Sequence, residues 1–378
     1  MRKILLTDAQ QRKTLSVMRS LGRRGEKPDC CDPFSGCLSR FSKYCSKYHR
    51  SPDPSIHPKE YLDFLIAYAR TNDETVLYPM DDAVMDIVQE NREILDDKFR
   101  YVIPPKDSYY ILRYKDMAAK RAAEKGITCP RSYDLKGEIN EIRFPVIIKP
   151  LRSSGGRGIK IVNGPEDLKE AYNNEEKFMV QEIIDISSRI DVCLIYNNQS
   201  ELKASFIQRE LRNFPDMTGP STIQESICHK EAEELAKRYM EGLSWQGVAE
   251  IEFAEEKGSG RLIFMEANPR FWSSIELAVI AGIDFPKIYM DIAVCKDCDL
   301  VQNYTTGIRT KWSFPGELLA FFEAKKKMGA DPSFFCDREH KTTDDTLRWN
   351  DPLPVIGLIA ESIYYLLNRD RRKYIFRK

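Results

Sequence analysis

The chain has 378 residues, with 58 Lys and Arg against 58 Asp and Glu, and is 42% hydrophobic and 31% charged. That length predicts two or three domains with true cores, and the neutral balance argues against a nucleic-acid surface, which would carry a basic excess. No apolar run approaches the roughly 20 residues that span a bilayer, the apolar part of MRKILLTDAQ is too short for a signal peptide, and ten scattered cysteines read as the thiols of a reducing cytoplasm rather than a disulfide scaffold.

In chain order, Arg2–Thr7 predicts a strand and Ala9–Leu21 a helix, closed by Gly22 and Gly25. SPDPSIHP at 51–58 is a loop, Tyr61–Arg70 has helical spacing, Thr75–Pro79 reads as a strand ending in Met80-Asp81-Asp82, and Ala83–Glu90 continues as helix. Residues 1–105 therefore predict a small doubly wound α/β domain with a parallel sheet. Loops after the strands of such sheets carry sites, which puts Asp81 and Asp82 on one wall of a ligand cleft; a plain scaffold would accommodate both equally well. Lys115–Lys125 predicts a helix capped by Gly126. A strand follows at Phe144–Ile148, and the chain stays rich in strand pattern to about Asn303, with helices at 165–173, 229–242 and 272–282. Beyond it, Leu318–Met328 and the apolar Pro354–Leu367 are helix candidates, the second followed by the basic NRDRRKYIFRK. An apolar helix with a basic tail either packs on the protein or lies on a membrane surface; packing is the reading preferred here. Cys295 and Cys298 form one CxxC, and Cys30, Cys31, Cys37 and Cys45 cluster, but the four histidines complete no zinc pattern.

Two stretches carry chemistry. FPVIIKPLRSSGGRGIKIV, Phe144 to Val162, lacks the GxxxxGK[ST] of a P-loop, and alternation after Gly158 makes it strand, glycine loop, strand, not the helix-opening loop of a dinucleotide fingerprint. Glycines let backbone N–H groups approach an anion, Arg152 and Arg157 add charge, and Lys149 at the strand end offers a point charge to phosphate. The second stretch is a hairpin, Glu250–Phe253 and LIFMEANPR at 262–270, joined by AEEKGSGR. Residues two apart on a strand face the same way, so Glu266 and Asn268 point together, with Glu252 across from them. Two carboxylates and an amide oxygen are hard ligands suited to Mg²⁺ held with nucleotide phosphates. LIFM before Glu266 is typical of a buried strand, so the acid must be paired or metal-bound. Arg270 stands where it could neutralise charge developing in a transition state.

FPVIIKP, SSGGRGI, MVQEII, IEF and FMEANPR, in this order and spacing, resemble the ATP-grasp superfamily of carboxylate–amine ligases over about residues 105 to 303. The resemblance implies a pre-ATP-grasp α/β domain at 1–105, an ATP-grasp fold at 106–303 with a small lobe at about 112–183 and a large lobe at about 184–303, and a helical extension at 304–378. It implies that Lys115 and Lys149 contact phosphates and that the loop with Ser154, Gly155, Gly156 and Gly158 folds over them. Val180, Gln181, Glu182 and Ile183 would hold adenine and ribose. Glu252, Glu266 and Asn268 would ligate Mg²⁺, with Mn²⁺ as an alternative. Arg270 would lie by an acyl phosphate. Gln208–Pro220 occupies the place of an arginine reaching triphosphate or substrate; Arg209 and Arg212 both qualify, and Arg212 is preferred. Glu252 stands where family members often have aspartate. The implied reaction activates a carboxylate with Mg–ATP and transfers it to an amine, releasing ADP and phosphate; a kinase, another acceptor or a non-catalytic nucleotide sensor are the alternatives. No biotin-attachment segment or second ATP-grasp half is present in the sequence. Dimers are frequent among members of the family.

Overall fold

The computed structural model describes residues 2–135, 141–153, 155–172, 177–216, 219–296, 298–324, 327, 330–335 and 340–367. The first unit is a five-stranded sheet in the order β3-β2-β1-β4-β5, every neighbouring pair parallel. Its strands are β1 (Ile4–Leu6), β2 (Asp29–Asp32), β3 (Tyr48–Arg50), β4 (Thr75–Tyr78) and β5 (Phe99–Arg100). The helices α1 (Arg12–Arg23), α2 (Pro58–Arg70), α3 (Asp82–Glu90) and α4 (Arg92–Leu95) connect them. Strand order reverses between β1 and β4, so a crevice opens beyond their C-terminal ends, where Thr7-Asp8 and Met80-Asp81-Asp82 emerge.

Helices α5 (Lys106–Arg113) and α6 (Lys115–Glu124) follow; Gly126, at φ +67°, ends α6 and donates to the Ala123 carbonyl at 2.9 Å. A four-stranded antiparallel sheet, β6-β9-β7-β8, is then built from β6 (Ser132–Tyr133), β7 (Val146–Pro150), β8 (Lys160–Val162) and β9 (Phe178–Glu182), with α7 (Pro165–Tyr172) between the last two. It has its own small core of Val146, Ile148, Val162, Leu168 and Val180.

The third sheet has seven strands in the order β14-β13-β10-β11-β12-β15-β16. These are β10 (Ile186–Tyr196), β11 (Leu202–Asn213), β12 (Ser221–Ser226), β13 (Gly247–Glu256), β14 (Leu262–Asn268), β15 (Arg309–Lys311) and β16 (Thr342–Asp344). Its helices are α8 (Lys230–Met240), α9 (Ile275–Ala281), α10 (Phe285–Ala293), α11 (Leu318–Glu323) and α12 (Pro354–Leu367). The segment after residue 303 thus differs from the helical extension expected: β15 and β16 complete the large sheet. Strands of three residues are too short to show alternation in a sequence.

The large sheet positions the site by changing character along one face. Ile190, Val192, Ile251 and Phe253 point away and pack with Ala118, Ala122 and Tyr239 of the helices. On the opposite face, Cys193, Ile195, Phe206 and Val248 join Ile4, Val76 and Tyr78 of the parallel sheet and Phe271, Trp272 and Tyr289 in one continuous core. Farther along that same face the period-2 positions become Arg189, Asp191, Gln208, Glu210, Glu250 and Glu252, and the core gives way to a polar cleft.

Candidate active site

The register of β13 and β14 sets Glu252 opposite Glu266 and Glu250 opposite Asn268. The α5–α6 corner brings Lys115, whose Nζ lies 2.6 Å from Glu266 Oε1. Lys149, next to last in β7, is 8% exposed and has its pKa pushed down to about 8 by burial and by the like charge of Lys115. Burial, followed by the charges of Glu266 and Glu210, pushes Glu252 up to about 7. Burial and Glu252 likewise raise Glu250. This face has more buried carboxylate than the surrounding cations can neutralise.

Asn268 Nδ2 donates to Glu252 Oε1 at 2.6 Å and to Glu250 Oε2 at 3.2 Å, and its Oδ1 accepts from Arg270 Nη2 at 3.0 Å. Arg270 Nε lies 3.1 Å from Asp82 Oδ1 and 3.6 Å from Asp81 Oδ1, and its Nη1 donates to the Phe271 carbonyl. Asp82 and Asp81 raise the Arg270 pKa against the opposing effect of burial. Asp81 is held from the other side by Lys13 Nζ at 3.0 Å. The crevice of the parallel sheet and the acidic hairpin are therefore one charged array.

The two halves of that array differ in how visible they are in a sequence. Asp81, Asp82, Glu252, Glu266, Asn268 and Arg270 all stand out as candidates and do come together. Lys13, Gln11 and Arg113 do not stand out: Lys13 and Gln11 lie on or beside the first helix and reach Asp81 across some 70 positions of chain, while Arg113 ends α5 and pairs with Asp86 at 3.2 Å and Asp82 at 3.6 Å. Asp191 had a signal, an acid inside the apolar run of β10. It is buried and accepts from Gln208 Nε2 at 2.8 Å.

The other expected residues are placed as follows. Gly155, Gly156 and Gly158 have φ of +62°, +73° and +74°, which only glycine adopts without strain; Ser154 lies outside the described residues. The adjacent Ser153 lines a pocket with Lys115, Glu266, Asn268 and Asp82, and its buried Oγ has no hydrogen-bond partner among the described residues. Val180 is in the small-sheet core, Gln181 donates to Ser132 Oγ, and the Glu182 carboxylate accepts the Arg131 N–H at 2.8 Å, so this segment presents chiefly backbone, with Ile183 just beyond the strand. Arg212 is carried elsewhere. It ion-pairs with Glu317, donates to the Pro332 carbonyl and stacks on Phe334. Bulges in β11 between Glu210 and Asn213 turn it toward the C-terminal segment. Arg209, on the opposite face, lies 3.8 Å from Glu255.

Residues 122–278 match the model of the ATP-grasp domain. That segment is an ATP-grasp domain. Formate-dependent phosphoribosylglycinamide formyltransferase of Prochlorococcus marinus strain NATL2A is 28% identical over 194 residues, 44% of this chain and 49% of the relative. The carbamoyl phosphate synthase large chain of Pseudomonas aeruginosa is 30% identical over 227 residues, 52% of this chain and 20% of the relative. The chain therefore spans about half the length of the formyltransferase it matches and less of the synthase. Among solved structures, N5-carboxyaminoimidazole synthetase from Staphylococcus aureus complexed with ADP superposes with a TM-score of 0.63 at 14% identity, covering 82% of this chain and 80% of that one. The shared fold places an ATP-grasp cleft between the small sheet and the polar face of the large one.

The residues of that cleft fit a divalent cation and a polyphosphate. Glu252 and Glu266 face each other with an excess of negative charge, and the orphaned Ser153 hydroxyl and two buried lysines stand beside them. Among the described residues no group of three or more His, Cys, Asp or Glu is placed to hold a metal ion. As placed, Asn268 turns its nitrogen toward Glu252. Ligation through its oxygen requires the amide to rotate.

Proposed function

We propose that the protein is an ATP-dependent, ADP-forming ligase that joins a small carboxylate to an amine. A carboxylate oxygen attacks the γ-phosphorus of ATP and ADP leaves; the amine nitrogen then attacks the acyl carbon, phosphate departs, and the nitrogen loses a proton. Glu252, Glu266 and Asn268 would hold Mg²⁺, which supplies charge neutralisation between phosphate oxygens. Lys115 and Lys149 position phosphates, Gly155, Gly156 and Gly158 let backbone N–H groups close over them, and the backbone of Val180–Ile183 receives the adenosine. Arg270, held by Asp81 and Asp82, presents its guanidinium to the acyl phosphate. Arg212 fits a supporting role, ordering the C-terminal segment beside the cleft.

The observation carrying this reading is the pairing of Glu252 with Glu266 at the end of β13–β14, with Lys115 at 2.6 Å and Asn268–Arg270 alongside. The test is ADP release from Mg–ATP with pooled carboxylates and amines, run beside Glu266→Gln. Release that needs both pools and disappears in the variant is expected. Release that needs only a carboxylate points to a kinase, and ATP-dependent thermal stabilisation without release from any pool points to a nucleotide sensor.

A further inference from the structure

Two thiols of the first unit are brought together outside the cleft. Cys30 lies on β2 and faces the core shared with the large sheet, while its neighbour Cys31 faces the other side, with its Sγ 3.5 Å from Tyr61 Oη. The chain returns toward β3 through the turn Ser42–Cys45, closed by the Cys45 N–H on the Ser42 carbonyl at 3.0 Å. Two backbone bonds then hold it against β2. The Ser46 N–H donates to the Pro28 carbonyl and the Cys30 N–H to the Lys47 carbonyl, both at 2.9 Å. Cys45 Sγ is thereby set 3.6 Å from Cys30 Sγ, across 15 positions of chain. That is contact distance for unbonded sulfurs, from which rotation of the two side chains reaches a bond.

The two sulfurs are not equivalent. Cys30 is fully buried, whereas Cys45 is half-buried and open to a small solute. Donation from the Cys30 S–H, helped by the Arg40 guanidinium and opposed by burial, holds the Cys45 thiol below its ordinary value. The same contact, together with burial, pushes Cys30 up. Cys37, in the same core, is fully buried and is pushed up to about 12 by burial and the charge of Asp32, so it stays a thiol. An accessible sulfur with thiolate character beside a buried protonated one is the arrangement of a reactive cysteine and its resolving partner.

We propose that Cys45 and Cys30 are a site of reversible disulfide formation by hydrogen peroxide. The Cys45 thiolate attacks one peroxide oxygen, the O–O bond breaks, and hydroxide leaves to be protonated to water; Cys45 is then a sulfenic acid. The Cys30 sulfur attacks the Cys45 sulfur, the S–O bond breaks, and the departing hydroxide takes the Cys30 proton as a second water. Two thiols lose two electrons and one peroxide gains them. A dithiol reductant reverses the bond by exchange. The bond pins the loop on which the C-terminal segment is seated. Leu38 of that loop packs with Leu358 of α12, and the Ser42 hydroxyl and Lys43 N–H donate to Asp351 at 2.8 and 2.9 Å. The proposal does not depend on the ligase reading, because it concerns residues outside the cleft.

The experiment treats the full chain with graded hydrogen peroxide, blocks remaining thiols by alkylation, and maps peptides without reduction by mass spectrometry. The exposed Cys228 is the internal control for oxidant. The expected product is one peptide pair joined through Cys30 and Cys45, lighter by about 2 Da than the two thiol peptides and separated by dithiothreitol. Cys45→Ser should abolish it, and Cys30→Ala should leave a Cys45 sulfenic acid that dimedone traps. The linked protein should unfold about 2–4 °C higher than the reduced one, a rise absent from Cys45→Ser. Thermal unfolding also checks that each variant is folded, and the wild-type peptide map stands without either. No link when Cys228 is already oxidised, or a link from Cys45 to Cys37 instead, overturns the proposal. A Cys30–Cys45 link that leaves the unfolding temperature unchanged or lower overturns the pinning of the loop.

Discussion

Replacing Arg270 by methionine separates what that side chain does for the fold from what it does for the site. The change removes a guanidinium that is 8% exposed and lies 3.1 Å from Asp82 and 3.6 Å from Asp81. Deleting one partner of a fully buried ion pair costs about 3–5 kcal/mol. Here the loss is partly compensated, because Asp81 keeps Lys13 at 3.0 Å and Asp82 keeps Arg113 at 3.6 Å. The Phe271 carbonyl also keeps Lys13 as a donor at 3.2 Å, leaving Asn268 Oδ1 as the acceptor that loses its partner. We expect a net cost of about 2–4 kcal/mol, a fall in unfolding temperature of about 3–5 °C. The effect has a definite sign with pH. Against the upward push of burial, Lys13 and Arg270 hold Asp81 below its ordinary value. The stability this provides is fully present above about pH 4, the unfolded value, and is lost as pH falls through the folded one. The gap between wild type and variant should therefore be full near neutrality and narrow in acid. Scanning fluorimetry at about pH 7 and about pH 3.5 reads it. The variant should keep its stabilisation by Mg–ATP while losing ADP release. A gap under about 1 kcal/mol, or one that widens in acid, refutes the compensation argument.

Three further outcomes are expected. Lys149 is cationic only below about pH 8 in the free protein, so stabilisation by nucleotide should weaken as pH rises from about 7 to about 9.5, and Lys149→Arg should flatten the profile; an unchanged profile in the wild type would count against a phosphate role. Gly158→Ala forces a Cβ at φ +74° to within 2.7 Å of Pro150 Cγ, and should cost about 1–2 kcal/mol and lower ATP affinity measured by titration calorimetry. Arg19→Ala removes the buried partner of Asp351 at 2.8 Å and the donor to three carbonyls; it should destabilise by about 3–5 kcal/mol, with proteolysis at 345–353 appearing before global unfolding.

The sequence exposes the acidic hairpin because strand geometry is rigid. With a period of two and a short connecting turn, Glu252 could meet Glu266 only from the partner strand, and the glycine loop could lie only between two strands. The parallel sheet is less legible. Its second strand, DCCD at 29–32, is bounded by aspartates, which ordinarily argue against a strand. Asp29 is accommodated because Tyr68 Oη donates to it at 3.0 Å and His49 lies 3.1 Å away. Those partners come from β3 and α2, which no local pattern links to it. Arg212 illustrates the converse: its position in the chain suggested the cleft, but the bulges that turn β11 are tertiary features, and they deliver it to Glu317. Lys13 was hidden for a similar reason, since a lysine on an amphipathic helix ordinarily faces water.

The continuous core between the parallel sheet and the large sheet has a consequence for how this chain can be divided. The ATP-grasp match begins at residue 122, yet Phe271, Trp272 and Tyr289 are covered by Ile4, Val76 and Tyr78. A fragment started near residue 106 would present those rings to water and lose Lys13 and Asp81 from beside Arg270. The unit of homology and the unit of folding are different lengths of chain. The small sheet keeps a core apart from that shared one, packing that lets it travel relative to the rest.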